Sequence, residues 1–321
     1  MNIDVFNGDA DGICALHQLR LADPAEATLI TGVKRDIALL QRVEAGSGDL
    51  VTVLDISLDK NRDNLVKLLD AGARVDYFDH HFAGEIPANA LLSHHIDTAA
   101  DVCTSLIVDK NLRESGKPQH TAWAVTAAFG DNLFEAARSA AKPLGITGER
   151  LEQLERLGTL LNYNGYGSDL SDLYFAPDVL YQAVAAFKDP FDFIDSSNEF
   201  TRLDQGYSAD MQRAAEVAPV VANDSIAVFV FPDDPYARRV SGVYSNLLAR
   251  ENPSRAHALA STLPGGDFLI SVRAPKQNAT GADELCRQFA TGGGRKAAAG
   301  INKLPSAELD AFTEAMQRQF G

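Results

Sequence analysis

Ile3-Asp4-Val5-Phe6-Asn7-Gly8-Asp9-Ala10-Asp11-Gly12 is the stretch on which the fold turns. Its first four residues read as a short strand, and a Gly/Asp loop follows at once. A helical pattern then runs from about Ile13 to Ala22, with Leu16, Leu19 and Leu21 apolar. The same alternation continues downstream. Residues 28–31 read as a second strand and 37–43 as a second helix. Leu50-Val51-Thr52-Val53-Leu54 is a third strand that ends at Asp55. Residues 64–71 are helical, stopped by Gly72, and Arg74-Val75-Asp76-Tyr77-Phe78 is a fourth strand that ends at Asp79. Strands alternating with helices of this length imply right-handed βαβ units and a parallel, doubly wound sheet.

Helical stretches follow at about 103–115, 119–141 and 149–161. Residues 187–195, with Pro190, mark the approach to a boundary, and 196–217 read as a connecting helix. New strands are expected at 225–231, 257–262 and 268–272. The expected class is therefore α/β: a parallel doubly wound N-terminal domain (1–190), a linker helix region (191–224) and a smaller α+β C-terminal domain (225–321).

Composition agrees with two ordinary cores. The chain has 321 residues, 45% of them apolar, at roughly 150 residues per domain. Cys14, Cys103 and Cys286 are widely spaced and form no CxxC pair, which fits reduced thiols and a cytoplasmic location. The N-terminus has no basic, apolar leader pattern, and no run approaches ~18 apolar residues, so no signal peptide and no membrane partner are expected. Forty-four acidic against 29 basic side chains leave a net charge of −15. Such a chain is poorly suited to long duplex nucleic acid, whose binding rests on many phosphate–cation contacts. Residues 226–321 carry 11 Lys/Arg and 9 Asp/Glu, so nearly all the negative charge lies in the front part. An acidic front suits divalent cations, and the Arg/Lys residues at the back suit phosphate.

Three predicted strands end in acids: at Asp9 and Asp11, at Asp55, and at Asp79-His80-His81. Ligands bind beyond the carboxyl ends of parallel strands, so these termini should converge on one rim. A single acid there is ordinarily a turn former or helix cap. Three together repel one another and lose solvation unless cations join them. Carboxylates plus imidazole fit manganese, zinc or magnesium, and the lack of Cys ligands argues against a structural zinc. Asp9 and Asp11 stand two residues apart and, in an extended segment, point the same way. Asp131 follows Gly130 within a helical stretch, where a Gly-Asp-Asn break would aim a further ligand inward.

A second cluster lies at Thr291-Gly292-Gly293-Gly294-Arg295-Lys296-Ala297-Ala298-Ala299-Gly300. Its glycines expose backbone N–H groups and Arg295 offers a fork for phosphate. The order is not that of a P-loop. As plain turn chemistry it is a flexible turn before an Ala-rich helix.

Together, Asp9-Ala10-Asp11-Gly12, Asp55, Asp79-His80-His81, a later Asp and the Gly-Gly-Gly-x-x-x-Ala-Ala-Gly run resemble the DHH phosphoesterase superfamily. Within it the chain looks like the nanoRNase and RecJ-type branch with the DHH-associated C-terminal domain. The resemblance implies a manganese phosphodiesterase with two ions, for which Mg2+ or Co2+ could substitute. Metal ligation maps onto Asp9, Asp11, Asp55, His80 and Asp131, with Asp55 bridging both ions. Asp55, His80 and His81 become the catalytic set, His81 touching the phosphate or orienting a ligand. Substrate binding maps onto Arg273, Gly292, Gly293, Gly294 and Arg295, with Arg239 a weaker candidate, and the C-terminal domain is expected to close over the cleft.

Two residues depart from that pattern. Many relatives carry His or Asp near the start of the first motif, where this chain has Val5 and Asn7, and the missing ligand would weaken one metal site. The glycine run usually continues with His, here Arg295, which points to an altered substrate end-group. Short linear oligonucleotides or dinucleotides, released as nucleoside monophosphates, are the expected substrates. Cyclic dinucleotides, 3′-phosphoadenosine nucleotides and a nucleotide sensor with a degenerate metal site are the alternatives. The oligomeric state, a homodimer included, is left open.

Other features read as structural. Strand alternation lets only one of His94 and His95 face the rim. Thr104 and Ser105 read as helix caps and Trp123 as core. Asn162-Tyr163-Asn164-Gly165-Tyr166-Gly167 is a lid, a contact loop or a plain turn.

Overall fold

A computed structural model describes all 321 residues. They form two compact units, Met1–Asp204 and Gln205–Gly321. No helix is long and apolar enough to cross a membrane.

The first unit opens with β1 (Asn2–Phe6), α1 (Ala10–Ala22), β2 (Thr28–Ile30), β3 (Leu50–Leu54), α2 (Leu58–Asp70), β4 (Arg74–Asp79) and β5 (Leu92–Ile96). The five strands are all parallel in the order β2-β1-β3-β4-β5. Strand order reverses between β1 and β3, and such switch points are where open α/β sheets bind ligands. Ile3, Val5, Val51, Val53, Val75 and Tyr77 enter one core on a single sheet face, as period-two alternation requires. On β1, Asp4 points the other way, yet it is buried too. The Arg20 guanidinium of α1 satisfies it, with Nε 2.8 Å from Oδ2.

Helices complete the unit: α3 (Thr104–Glu114), α4 (Thr121–Gly130), α5 (Phe134–Ala141), α6 (Glu149–Gly165), α7 (Pro177–Ala185) and α8 (Pro190–Ser196). Trp123 is fully buried and its indole donates to the Lys188 carbonyl at 3.0 Å. Helix α9 (Asn198–Ala215) carries the chain across the division between units.

The second unit adds β6 (Val221–Ala222), β7 (Ile226–Phe231), α10 (Pro235–Glu251), β8 (Ala256–Thr262), β9 (Phe268–Arg273), α11 (Ala282–Cys286), β10 (Gly292–Arg295), β11 (Ala298–Leu304) and α12 (Leu309–Phe320). Its six strands run β10-β11-β9-β8-β7-β6, antiparallel except for β7 and β8, which α10 connects. Its core gathers Ile226, Val228, Ile270, Val272, Leu285 and Phe312.

Three local expectations change. Residues 37–43 form only a 3₁₀ turn at Leu39–Arg42, because Leu39 and Leu40 plug the core. The 119–141 stretch is two helices, broken where Asn132 turns left-handed at φ 62°. The alanines after Arg295 form a strand, not a helix. They pair with the glycines as the hairpin β10–β11, Gly293 opposite Gly300. Any side chain at Gly292 would collide with the Cys286 carbonyl, so only glycine fits there.

Candidate metal centre

Helix α1 begins three residues earlier than the apolar pattern indicates, because Asp9 caps it. Asp9 Oδ1 accepts the backbone N–H groups of Asp11 (3.0 Å) and Gly12 (3.1 Å). Asp9 and Asp11 therefore do not lie side by side on an extended segment. Asp11 sits in the first helical turn and Asp9 looks elsewhere. Gly8 lets this loop press against the Gly32 carbonyl and Pro177, where a Cβ would collide.

Asp11 is buried against the start of α3. Its oxygens accept the N–H groups of Thr104 and Ser105, both at 2.7 Å. These are the first two residues of α3 rather than its caps: Cys103 holds the N-cap position without a side-chain cap, and a carboxylate from α1 takes the free N–H groups instead. Asp55 follows β3 in a left-handed conformation, φ 58°, which non-glycine residues rarely adopt. Thr104 Oγ1 donates to Asp55 Oδ1 at 3.2 Å.

His80 follows β4, and its Nδ1 lies 2.9 Å from the Val102 carbonyl. Its Nε2 lies 3.4 Å from Asp55 Oδ1 and 3.5 Å from Asp131 Oδ2. Asp131 reaches this point because α4 ends there. His81 is held by Asp79, with Nδ1 2.7 Å from Oδ1, and its side chain is 41% exposed. Asp11, His80 and Asp131 each bring one donor atom within 4.8 Å of the others, and Asp55, His80 and His81 do the same.

The electrostatics are those of a site short of positive charge. Burial, then the charges of Asp9 and Asp11, push the Asp55 carboxyl well above the usual range. Burial and the charge of Asp131 raise Asp11 likewise. Burial opposes charge on His80, but Asp55, Asp11 and Asp131 outweigh it and lift the imidazole to about 10. The donor set fits a borderline divalent cation. A carbonyl on His80 Nδ1 fixes the proton there and leaves Nε2 to ligate, the usual support for a metal-binding imidazole.

Asp9 meets a residue that the strand-end reading missed. Lys34, in the loop after β2, ion-pairs with Asp9 Oδ2 and lies 3.4 Å from Asp131 Oδ1 and 2.8 Å from Asn162 Oδ1. Burial raises the Asp9 carboxyl, but Lys34 and the Gly12 N–H outweigh it and hold it below its ordinary value. The 162–167 motif is the end of α6 and the turn after it. Asn162 accepts from Lys34, and the Tyr166 ring centroid lies 5.6 Å from the ammonium.

In the second unit, Gly293, Gly294 and Arg295 lie on β10, with Arg295 exposed. Arg273 ends β9 and donates from Nε to Asn246 Oδ1 at 2.7 Å. Arg239 lies on α10, paired with the buried Asp210 at 2.8 Å. His95 stacks on Phe78 with centroids 4.4 Å apart and lies 3.2 Å from Asn111 Nδ2. All three cysteines are free and buried.

No family model and no curated protein matches the chain. Solved structures do. A manganese-bound exonuclease RecJ superposes with TM-score 0.63 at 19% identity, covering 99% of this chain and 89% of its own. A DHH-domain member of the s1p family of ribosomal proteins gives TM-score 0.62 at 12% identity, covering 99% and 85%. The chain has the DHH-domain fold. A pGpG-specific phosphodiesterase, PggH from Vibrio cholerae, shares it with TM-score 0.57 at 15% identity over 99% of both chains. In this fold the segments after β1, β3 and β4 and the end of α4 supply the acidic cluster with its histidines, and the loop after β2 supplies the lysine.

Proposed function

We propose that the protein is a metal-dependent phosphodiesterase that hydrolyses short linear oligonucleotides, dinucleotides above all, to nucleoside monophosphates. The observation that carries this reading is the meeting at His80 of two candidate ligand groups, Asp11 with Asp131 and Asp55 with His81, with Nε2 of His80 held toward Asp55 and Asp131. These residues would hold the ion, with Mn2+ favoured and Mg2+ or Co2+ as substitutes. A divalent cation there supplies Lewis acidity, activating a water and offsetting charge that develops on phosphate oxygens. Asp79 orients His81 and leaves its Nε2 to meet a substrate oxygen. Phe82, next in sequence and 74% exposed, offers an aromatic face to a nucleobase. Arg295, on the glycine hairpin, would take a terminal phosphate. The described activities of RecJ and PggH support a nucleotide phosphodiester as substrate. A net charge of −15 supports a short one, held by a few cations rather than a basic groove.

A nucleotide sensor is the second reading, favoured by Lys34 within the acidic cluster and by Asn7, where the resemblance leads one to expect a His or Asp ligand. Purified protein assayed with Mn2+ against linear dinucleotides, cyclic dinucleotides and 3′-phosphoadenosine 5′-phosphate separates the readings. Turnover of linear dinucleotides is expected. Tight binding of one compound without turnover of any would establish the sensor instead.

A further inference from the structure

We propose that the Lys34 ammonium stands in for one of the two divalent cations, so that the site takes a single ion, at His80 with Asp11 and Asp131. The inference rests on the metal-dependent reading above and concerns how many ions that reading needs.

An ammonium has three N–H donors and no acceptor. Here three acceptors face it: Asp9 Oδ2, Asn162 Oδ1 at 2.8 Å and Asp131 Oδ1 at 3.4 Å. Both oxygens of Asp9 are then engaged, because Oδ1 already accepts from Asp11 N and Gly12 N. The lysine is also held along its backbone. Its N–H donates to the Gly165 carbonyl at 2.8 Å, and its own carbonyl accepts from Asn7 Nδ2 at 3.3 Å. Asn7 is thus part of the scaffold that positions Lys34, and its Oδ1 stays buried without a partner. With a neutral amide at Asn7 and a fixed cation beside Asp9, this end of the cluster keeps no free Asp9 oxygen for a second ion. The side chain is only 23% exposed, so swinging it out would strand Asp9 and Asn162 in a buried setting. At the other end of the cluster no lysine or arginine pairs with Asp11 or Asp55, and there His80 holds Nε2 toward Asp55 and Asp131.

The test counts ions. Wild type is dialysed against excess Mn2+, and bound metal per chain is measured by plasma mass spectrometry, with electron paramagnetic resonance on the same samples. One ion per chain with an uncoupled Mn2+ spectrum is expected. Lys34→Met, and Lys34→Ala combined with Asn7→Asp, should bring the count toward two, with the spectrum of a coupled pair. Circular dichroism checks that both variants fold. Two ions in wild type overturn the inference and leave the phosphodiesterase reading standing. A count that stays at one in folded variants of both kinds overturns the role of Lys34. No bound ion in wild type overturns the metal-dependent reading and this inference with it.

Discussion

His80 presents Nδ1 to the Val102 carbonyl at 2.9 Å, and this one contact sets the face that its ring turns to the carboxylates. A ring so fixed loses little freedom when it ligates, and its second nitrogen lies within 3.5 Å of both Asp55 and Asp131. His80→Ala should therefore weaken Mn2+ binding by more than about tenfold. Isothermal titration calorimetry reads this directly, and unchanged affinity would remove His80 from the ligand set.

Asp55 combines a proposed place in the metal centre with an uncommon backbone. Asn tolerates the left-handed region that Asp55 occupies, whereas Ala is penalised by about 1 kcal/mol. Asp55→Asn should lower dinucleotide hydrolysis by more than about 100-fold with thermal stability kept, because one of several repelling buried acids is neutralised. Asp55→Ala should be equally inactive but less stable than Asp55→Asn. Near-normal turnover in either would refute the role of Asp55.

Arg295 is exposed on β10, and its proposed part is to meet a terminal phosphate. Arg295→Ala should lower kcat/KM by about tenfold, chiefly through KM. Steady-state kinetics decide, and unchanged kinetics would leave the hairpin a structural feature.

His17 makes stability depend on pH. Its ring meets Trp123 edge-on at 4.8 Å, and its Nε2 lies 2.8 Å from the Phe187 carbonyl. Burial lowers the imidazole from 6.5 to about 4. Between these values the unfolded chain binds a proton that the folded one refuses, so stability rises with pH across the window and is lost as pH falls through it. The group accounts for about 3 kcal/mol at most. Urea unfolding at a series of pH values should show a shallower slope for His17→Gln than for wild type. Equal slopes would show that His17 does not set this dependence.

Much of the fold was legible because β1, β3 and β4 follow simple alternation and stop at acids. Gly-Asp-Asn, poor helix chemistry, marked the place of Asp131 within 119–141, but the full division into two helices at Asn132 was not read from it. The hairpin at 292–304 was not legible, because the pairing of Gly293 with Gly300 and of β11 with β9 overrides the helix propensity of alanine. Lys34 was missed for a different reason. It follows a strand, as Asp9 and Asp55 do, yet a lone lysine in a loop looks solvated. Its partners Asp9, Asp131 and Asn162 lie 25, 97 and 128 residues away. Applying the strand-end rule to β2, whatever the sign of the charge, would have found it.

Crystals equilibrated with Mn2+ and measured on both sides of the manganese absorption edge locate the ion itself. An anomalous peak is expected at His80, among the carboxylates of Asp11, Asp55 and Asp131. Manganese found only away from these four residues, or none at all in the crystal, would contradict it.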